Sequence, residues 1–123
     1  MQTFTKAERL TSKIEIDSLF GTGKSFNIAP FKVIWKESID SSVPVKIVIS
    51  IPKRLFKRAV DRNRLKRLTR EAYRKNKHLL NDNPGNKKVF LMLIFTSKSI
   101  IEYNEMEEKI ILILQRLSKT INT

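Results

Sequence analysis

The chain has 123 residues, no cysteine, one histidine, and a formal net charge of +13 from 25 Lys and Arg against 12 Asp and Glu. The length suits one domain, 1–123, with a core that needs no staple; the composition excludes a disulfide framework, a thiolate metal site, a His-pair zinc site and a histidine relay. Charge this one-sided repels itself unless a polyanion neutralises it, so nucleic acid or an anionic membrane surface is the implied class of partner.

Residues 1–11 are polar, and 1–8 are expected to be mobile. MQTFTKAERL carries charges where a signal peptide has its apolar centre, so a cytoplasmic location is expected. Ser12 and Glu15 have capping-box spacing ahead of Ile16, Leu19 and Phe20, which predicts a short helix over 13–20 that Gly21 and Gly23 stop. Lys24 to Asn27 suits a short edge strand, broken by Pro30. In 31–37 Phe31, Val33 and Trp35 alternate with Lys32, Ile34 and Lys36; in 45–51 Val45, Ile47, Ile49 and Ile51 alternate with Lys46, Val48 and Ser50. Both read as half-buried strands, and the short polar turn between them predicts an antiparallel pair. The face left open presents Lys32, Ile34, Lys36, Lys46, Val48 and Ser50, a basic and partly apolar surface of the kind a single nucleic-acid strand needs.

Pro52 ends the second strand, and Lys53 to Lys57 form a basic connection. A long helix is predicted from Arg58 to Leu80, with Leu65, Leu68, Ala72 and Leu79 on its packed side and Thr69 and Asn76 beside them. Residues 53–77 hold twelve Lys or Arg and two acids, Asp61 and Glu71, so this stretch carries +10 of the whole charge. Arg62, Lys66, Arg70 and Arg74 follow i, i+4 spacing on another side, with Asn63 and Arg67 next to them. Arginine forks suit phosphate oxygens, and an amide among them can fix geometry at a sugar or base edge. The apolar side is too modest for membrane insertion, which favours nucleic acid. Asn83-Pro84-Gly85 marks a turn, KVFLMLIF at 88–95 a strand covered on both faces, and Met106, Ile110, Ile113, Leu114 and Leu117 a helix over 105–119. The acids Glu102, Glu105, Glu107 and Glu108 read as solvated first turns of that helix. They are not the clustered carboxylates of a metal nuclease, and no metal site is read from the chain. The element order α-β-β-β-α-β-α gives an α+β sandwich.

Ala59-Val60-Asp61-Arg62-Asn63-Arg64-Leu65-Lys66-Arg67 resembles the A-V-x-R-N-R-x-K-R motif of the bacterial ribonuclease P protein component. Arg9-Leu10, the helix ending in Phe20, Gly23-Lys24-Ser25, the Phe31 strand and Ile51-Pro52-Lys53-Arg54 extend the resemblance over residues 8–118. It implies a fold like domain 2 of ribosomal protein S5, with a left-handed β-α-β crossover at the long helix. It also implies an accessory subunit of the ribonucleoprotein that removes the 5′ leader from precursor tRNA. The catalytic groups and most Mg2+ would then belong to the RNA subunit, with no cofactor required by the isolated, monomeric protein and no membrane partner.

On that reading Lys53, Arg54, Arg58, Arg62, Asn63, Arg64, Lys66, Arg67, Arg70 and Arg74 contact the RNA subunit. Ile16, Phe20, Lys32, Ile34, Lys36, Lys46, Val48 and Ser50 line a cleft for the precursor-tRNA leader. Ile16 and Ile34 stand where relatives often have aromatics, so they offer packing without a π-face, and the 51–62 segment is one residue longer than in some relatives. Phe20 is read either as core or as a leader contact, Trp35 as core. The alternative is a structural ribosomal or other RNA-binding protein with no role in tRNA processing.

Overall fold

The computed structural model describes residues 13–38, 45–81 and 88–121. The Ser12 cap, the N-terminal residues expected to be mobile, and the turns at 39–44 and 82–87 lie outside that set. In chain order the elements are α1 (Lys13–Thr22), β1 (Lys24–Ile28), β2 (Phe31–Ser38), β3 (Val45–Ser50), α2 (Ala59–Asn76), α3 (His78–Asn81), β4 (Lys88–Phe95) and α4 (Tyr103–Ile121).

One four-stranded sheet runs in the order β1-β2-β4-β3. β1 and β2 form a hairpin from Lys24↔Trp35 to Ile28↔Phe31, turning through Ala29 and a cis Pro30. β4 pairs antiparallel with β2, Phe31↔Phe95 to Ser38↔Lys88, and parallel with β3, Val45↔Val89 to Ser50↔Ile94. The expected antiparallel pairing of 31–37 with 45–51 is therefore wrong. β4 is inserted between them, and β3 reaches it by a crossover through α2 and α3. The physical reason is β4's composition: a run apolar on both sides belongs in the middle of a sheet, where both edges are paired and both faces at least partly covered.

Alternation decides which residues meet which layer. Phe31, Val33, Trp35, Val45, Ile47, Val89, Leu91, Leu93 and Phe95 all face one side and are buried against α2 and α4. Phe31 and Phe95 meet edge-to-face with centroids 5.4 Å apart, and Phe56 packs on Phe95 at 5.9 Å. α2 contributes Leu65, Thr69, Ala72 and Tyr73 to this core, and α4 contributes Met106, Ile110, Ile113, Leu114, Leu117 and Ile121. Each Leu, Ile or Met side chain among them contributes about 1.5–3 kcal/mol by its removal from water. Thr69 is tolerated in full burial because its hydroxyl donates to Leu65 O at 2.7 Å.

The long helix stops earlier than its pattern suggests. α2 ends at Asn76, and one turn residue, Lys77, separates it from the single turn of α3. Asn76 explains part of this: its side-chain amide donates to Ala72 O at 2.8 Å and to Glu107 Oε2 at 3.1 Å, and Tyr103 Oη donates to the same oxygen at 3.2 Å. Glu107 is therefore not a solvated first-turn acid. It is half-buried and ties the end of α2 to the start of α4.

α1 lies on the other side of the sheet, against β2 and β4. It continues through Gly21, so Gly23 alone marks its stop, with its amide donating to Leu19 O at 2.9 Å. A Cβ at Gly23 would sit 2.4 Å from that oxygen and 2.9 Å from Ile34 Cγ2, so glycine is what lets the helix end this close to the sheet.

Candidate RNA interface

The strand register builds the open face of the sheet as three rows across β2, β4 and β3: Lys36–Phe90–Lys46, Ile34–Met92–Val48 and Lys32–Ile94–Ser50. All six strand residues expected on this face are on it. The pattern could not supply the middle column, because every residue of 88–95 after Lys88 is apolar. Phe90 and Ile94 are half-buried, so this face of β4 is less covered than the run implied. Phe90 is the aromatic that sequence reasoning missed here, and Lys46 Nζ lies 6.0 Å from its ring centroid.

α1 forms one wall. Leu19 is fully buried and forms a small cluster with Ile34 and Met92, with Ile16, Val48, Phe90 and Ile94 packed around it. Ile34 thus serves as apolar floor, and Ile16 packs against the same cluster from α1. Lys36 Nζ donates to Ser18 Oγ at 2.6 Å, which fixes the wall to the sheet and spends part of that lysine's hydrogen-bonding capacity. Lys32 is exposed. Phe20 is 58% exposed, which decides against a core role, whereas Trp35 at 4% is core as expected.

The second surface is α2. Among its expected contact residues, Asn63, Arg64, Arg67 and Arg70 are exposed, and Lys66 is half-buried. Helical geometry puts Asn63, Arg67, Arg70 and Arg74 opposite the Leu65, Thr69, Ala72 and Tyr73 stripe, so the outward face is centred on Arg67. Arg74 pairs with Glu71, its Nε donating to Oε2 at 3.1 Å. That hydrogen bond holds the Glu71 carboxyl below its usual range and raises the Arg74 guanidinium. Arg64 Nη2 lies 3.5 Å from Glu102 Oε1, with Glu102 largely in solvent and Arg64 about half exposed, so the pair is weak and yields readily to a phosphate. Arg62 differs from its neighbours: it is half-buried, and its Nη1 donates to Phe56 O at 2.7 Å and to Lys57 O at 3.0 Å. Periodicity gives a residue's side of the helix, and no pattern announces bonds to a preceding loop.

The two surfaces are joined by the chain itself. Residues 51–58 leave the Lys32–Ile94–Ser50 row and enter α2 at Arg58, carrying exposed Lys53, Arg54, Lys57 and Arg58. Among the described residues no group of three or more His, Asp or Glu could hold a metal ion, and no helix is long and apolar enough to cross a membrane.

Comparison with known proteins meets this geometry. The family model for Ribonuclease P matches residues 4–118. The chain is similar to the ribonuclease P protein component of Porphyromonas gingivalis strain W83, 42% identical over 92 residues, covering 74% of this chain and 67% of the relative. It is also similar to that of Borrelia hermsii, 32% identical over 98 residues, covering 80% and 81%. The solved ribonuclease P protein of Thermotoga maritima superposes with a TM-score of 0.73 at 25% identity, over 89% of this chain and 96% of that one. The Arg-Asn-Arg helix, the open sheet face and these similarities converge: the chain belongs to the ribonuclease P protein component family, and with that membership goes a role in ribonuclease P and tRNA processing.

Proposed function

We propose that this chain is the RNA-binding subunit of a ribonuclease P ribonucleoprotein and helps its RNA remove the 5′ leader of precursor tRNA. The observation that carries the reading is the separation of two unlike surfaces. The outward face of α2, with Asn63, Arg64, Arg67 and Arg70, is dense in cations and suits the phosphates of a folded RNA. The open sheet face beside α1, with lysines at its margins and Phe90 and exposed Phe20 at hand, suits a single strand that combines backbone charge with stackable bases. The RNA subunit occupies the first surface and the leader the second.

Cleavage itself is assigned to the RNA, together with the Mg2+ it holds. The chain's chemistry is positional: cations neutralise phosphates, and the groove holds the leader where the scissile bond can be addressed. The protein works as one copy in the cytoplasm. A structural ribosomal protein would share the charge but would have no use for a second, single-strand groove.

Reconstitution tests this. The pure protein is expected to cleave nothing alone and to restore precursor-tRNA cleavage by a bacterial ribonuclease P RNA at low Mg2+. Cleavage by the protein without RNA, or no stimulation of any such RNA, would sink the proposal.

A further inference from the structure

We propose that Arg62 acts on RNA through the preceding loop, as a positioning residue that holds Lys53, Arg54, Lys57 and Arg58 together as one preorganised cationic arm. The inference rests on reading this surface as RNA-binding. Its basis is where the Arg62 guanidinium goes. One nitrogen, Nη1, donates to both Phe56 O at 2.7 Å and Lys57 O at 3.0 Å. Both hydrogens of that nitrogen are thereby committed to backbone. The two carbonyls belong to consecutive residues just outside the helix, so these bonds tie the loop to α2.

Two further attachments complete the arm. The Phe56 ring is buried, 7% exposed, against Phe95. The Leu55 and Phe56 amides both donate to Pro52 O, at 3.1 and 3.4 Å, closing a turn. A buried ring, a turn and a guanidinium thus fix the short segment, and its four cations project from it exposed. Four like charges in six residues repel one another, and a loop free to spread would separate them. Held in place, they lose less freedom on meeting a polyanion. Arg62 is also placed for this task and poorly placed for a phosphate: it lies beside the Leu65, Thr69 and Tyr73 stripe, half-buried, while Asn63, Arg64 and Arg67 are exposed.

The test compares Arg62→Ala and Arg62→Gln with Arg67→Ala. Amide hydrogen exchange at Leu55 and Phe56 is measured in the free protein, and the salt dependence of binding is measured on a bacterial ribonuclease P RNA. Arg62→Ala is expected to speed exchange at those two amides about tenfold while the β4 amides stay protected. It should also flatten the log–log salt slope by more than the ~0.7–0.9 of one phosphate contact. Arg67→Ala should cost one contact and leave exchange unchanged. Arg62→Gln keeps an amide donor for one carbonyl without the charge, and should recover part of both effects; it also serves if the alanine variant loses its fold. A slope loss of one contact or less in folded Arg62→Ala, with or without faster exchange, overturns the proposal; where that variant does not fold, exchange at Leu55 and Phe56 in Arg62→Gln that is no faster than in the wild type overturns it. If no variant and no wild type binds the RNA, the functional reading fails instead, and the exchange data still show whether Arg62 holds the loop.

Discussion

The two faces of the sheet are made by alternate residues of the same strands, yet they have little else in common. On one, nine strand side chains from Phe31 to Phe95 are buried under α2 and α4 in a continuous core. On the other, burial is confined to Ile34 and Met92 beneath Leu19, and the rows run out to Lys32, Lys36, Lys46 and Ser50. The covered face supplies the stability, and the open face can therefore leave apolar and cationic groups partly in solvent. A marginally stable domain can leave such groups near solvent only if its core lies elsewhere.

The contrast can be broken in three ways, from the largest expected effect to the smallest. Leu91→Ala removes a fully buried side chain from the covered face and should lower unfolding free energy by about 2–5 kcal/mol. Lys32→Ala, exposed on the open face, should stay within about 0.5 kcal/mol. Urea unfolding measures both, and comparable losses would mean that the open face is a second core.

Phe20→Ala should leave stability nearly unchanged, because the ring is already 58% exposed. It should instead weaken holoenzyme binding of leader-bearing tRNA relative to mature tRNA by about 1–3 kcal/mol, the scale of one stacked base. Equal effects on the two substrates would remove Phe20 from the leader site.

The smallest effect lies on the covered side, at the α2–α4 joint. Burial, and then the neighbouring Glu107 charge, push the Tyr103 phenol from an ordinary 10.0 up to about 12. Below pH 10 folded and unfolded chains both keep this proton, so its contribution is intact. Between about pH 10 and 12 the unfolded chain releases the proton and the folded one keeps it, so stability falls as pH rises through that window. Tyr103→Phe should remove this component, giving a shallower fall of the urea midpoint with pH while RNA affinity at neutral pH is unchanged. Parallel profiles for the two proteins would place the phenol in a water-like setting.

Much of the fold is legible in the chain because period and punctuation are local properties. The predicted elements match helices and strands in the structure, and the alternation of β2 and β3 placed Lys32, Ile34, Lys36, Lys46, Val48 and Ser50 on one face. Strand order was not legible, because alternation names a face and says nothing about a neighbour. A short connection between 38 and 45 suggested a hairpin, and the lane between β2 and β3 goes instead to a strand that comes after a long helix. In the candidate site the exposed arginines followed from helical spacing. Phe90 was hidden inside a uniformly apolar run. Arg62 was hidden among identical residues, and its carbonyl partners belong to a loop whose path no periodicity encodes.

The late arrival of β4 has a consequence for how the chain is made. When synthesis has reached α3, the β1–β2 hairpin can already close on local contacts, but β2 and β3 have a vacant lane between them. The pairings that fill it join residues as far apart as Phe31 and Phe95, and such non-local contacts form slowly. Over that interval both strands expose unpaired edges, which invite association with other chains. The segment that separates them from β4 is the most strongly cationic of the sequence. Like charge on that segment opposes such association, so the cationic stretch bears on the unfinished chain as well as on the finished surface.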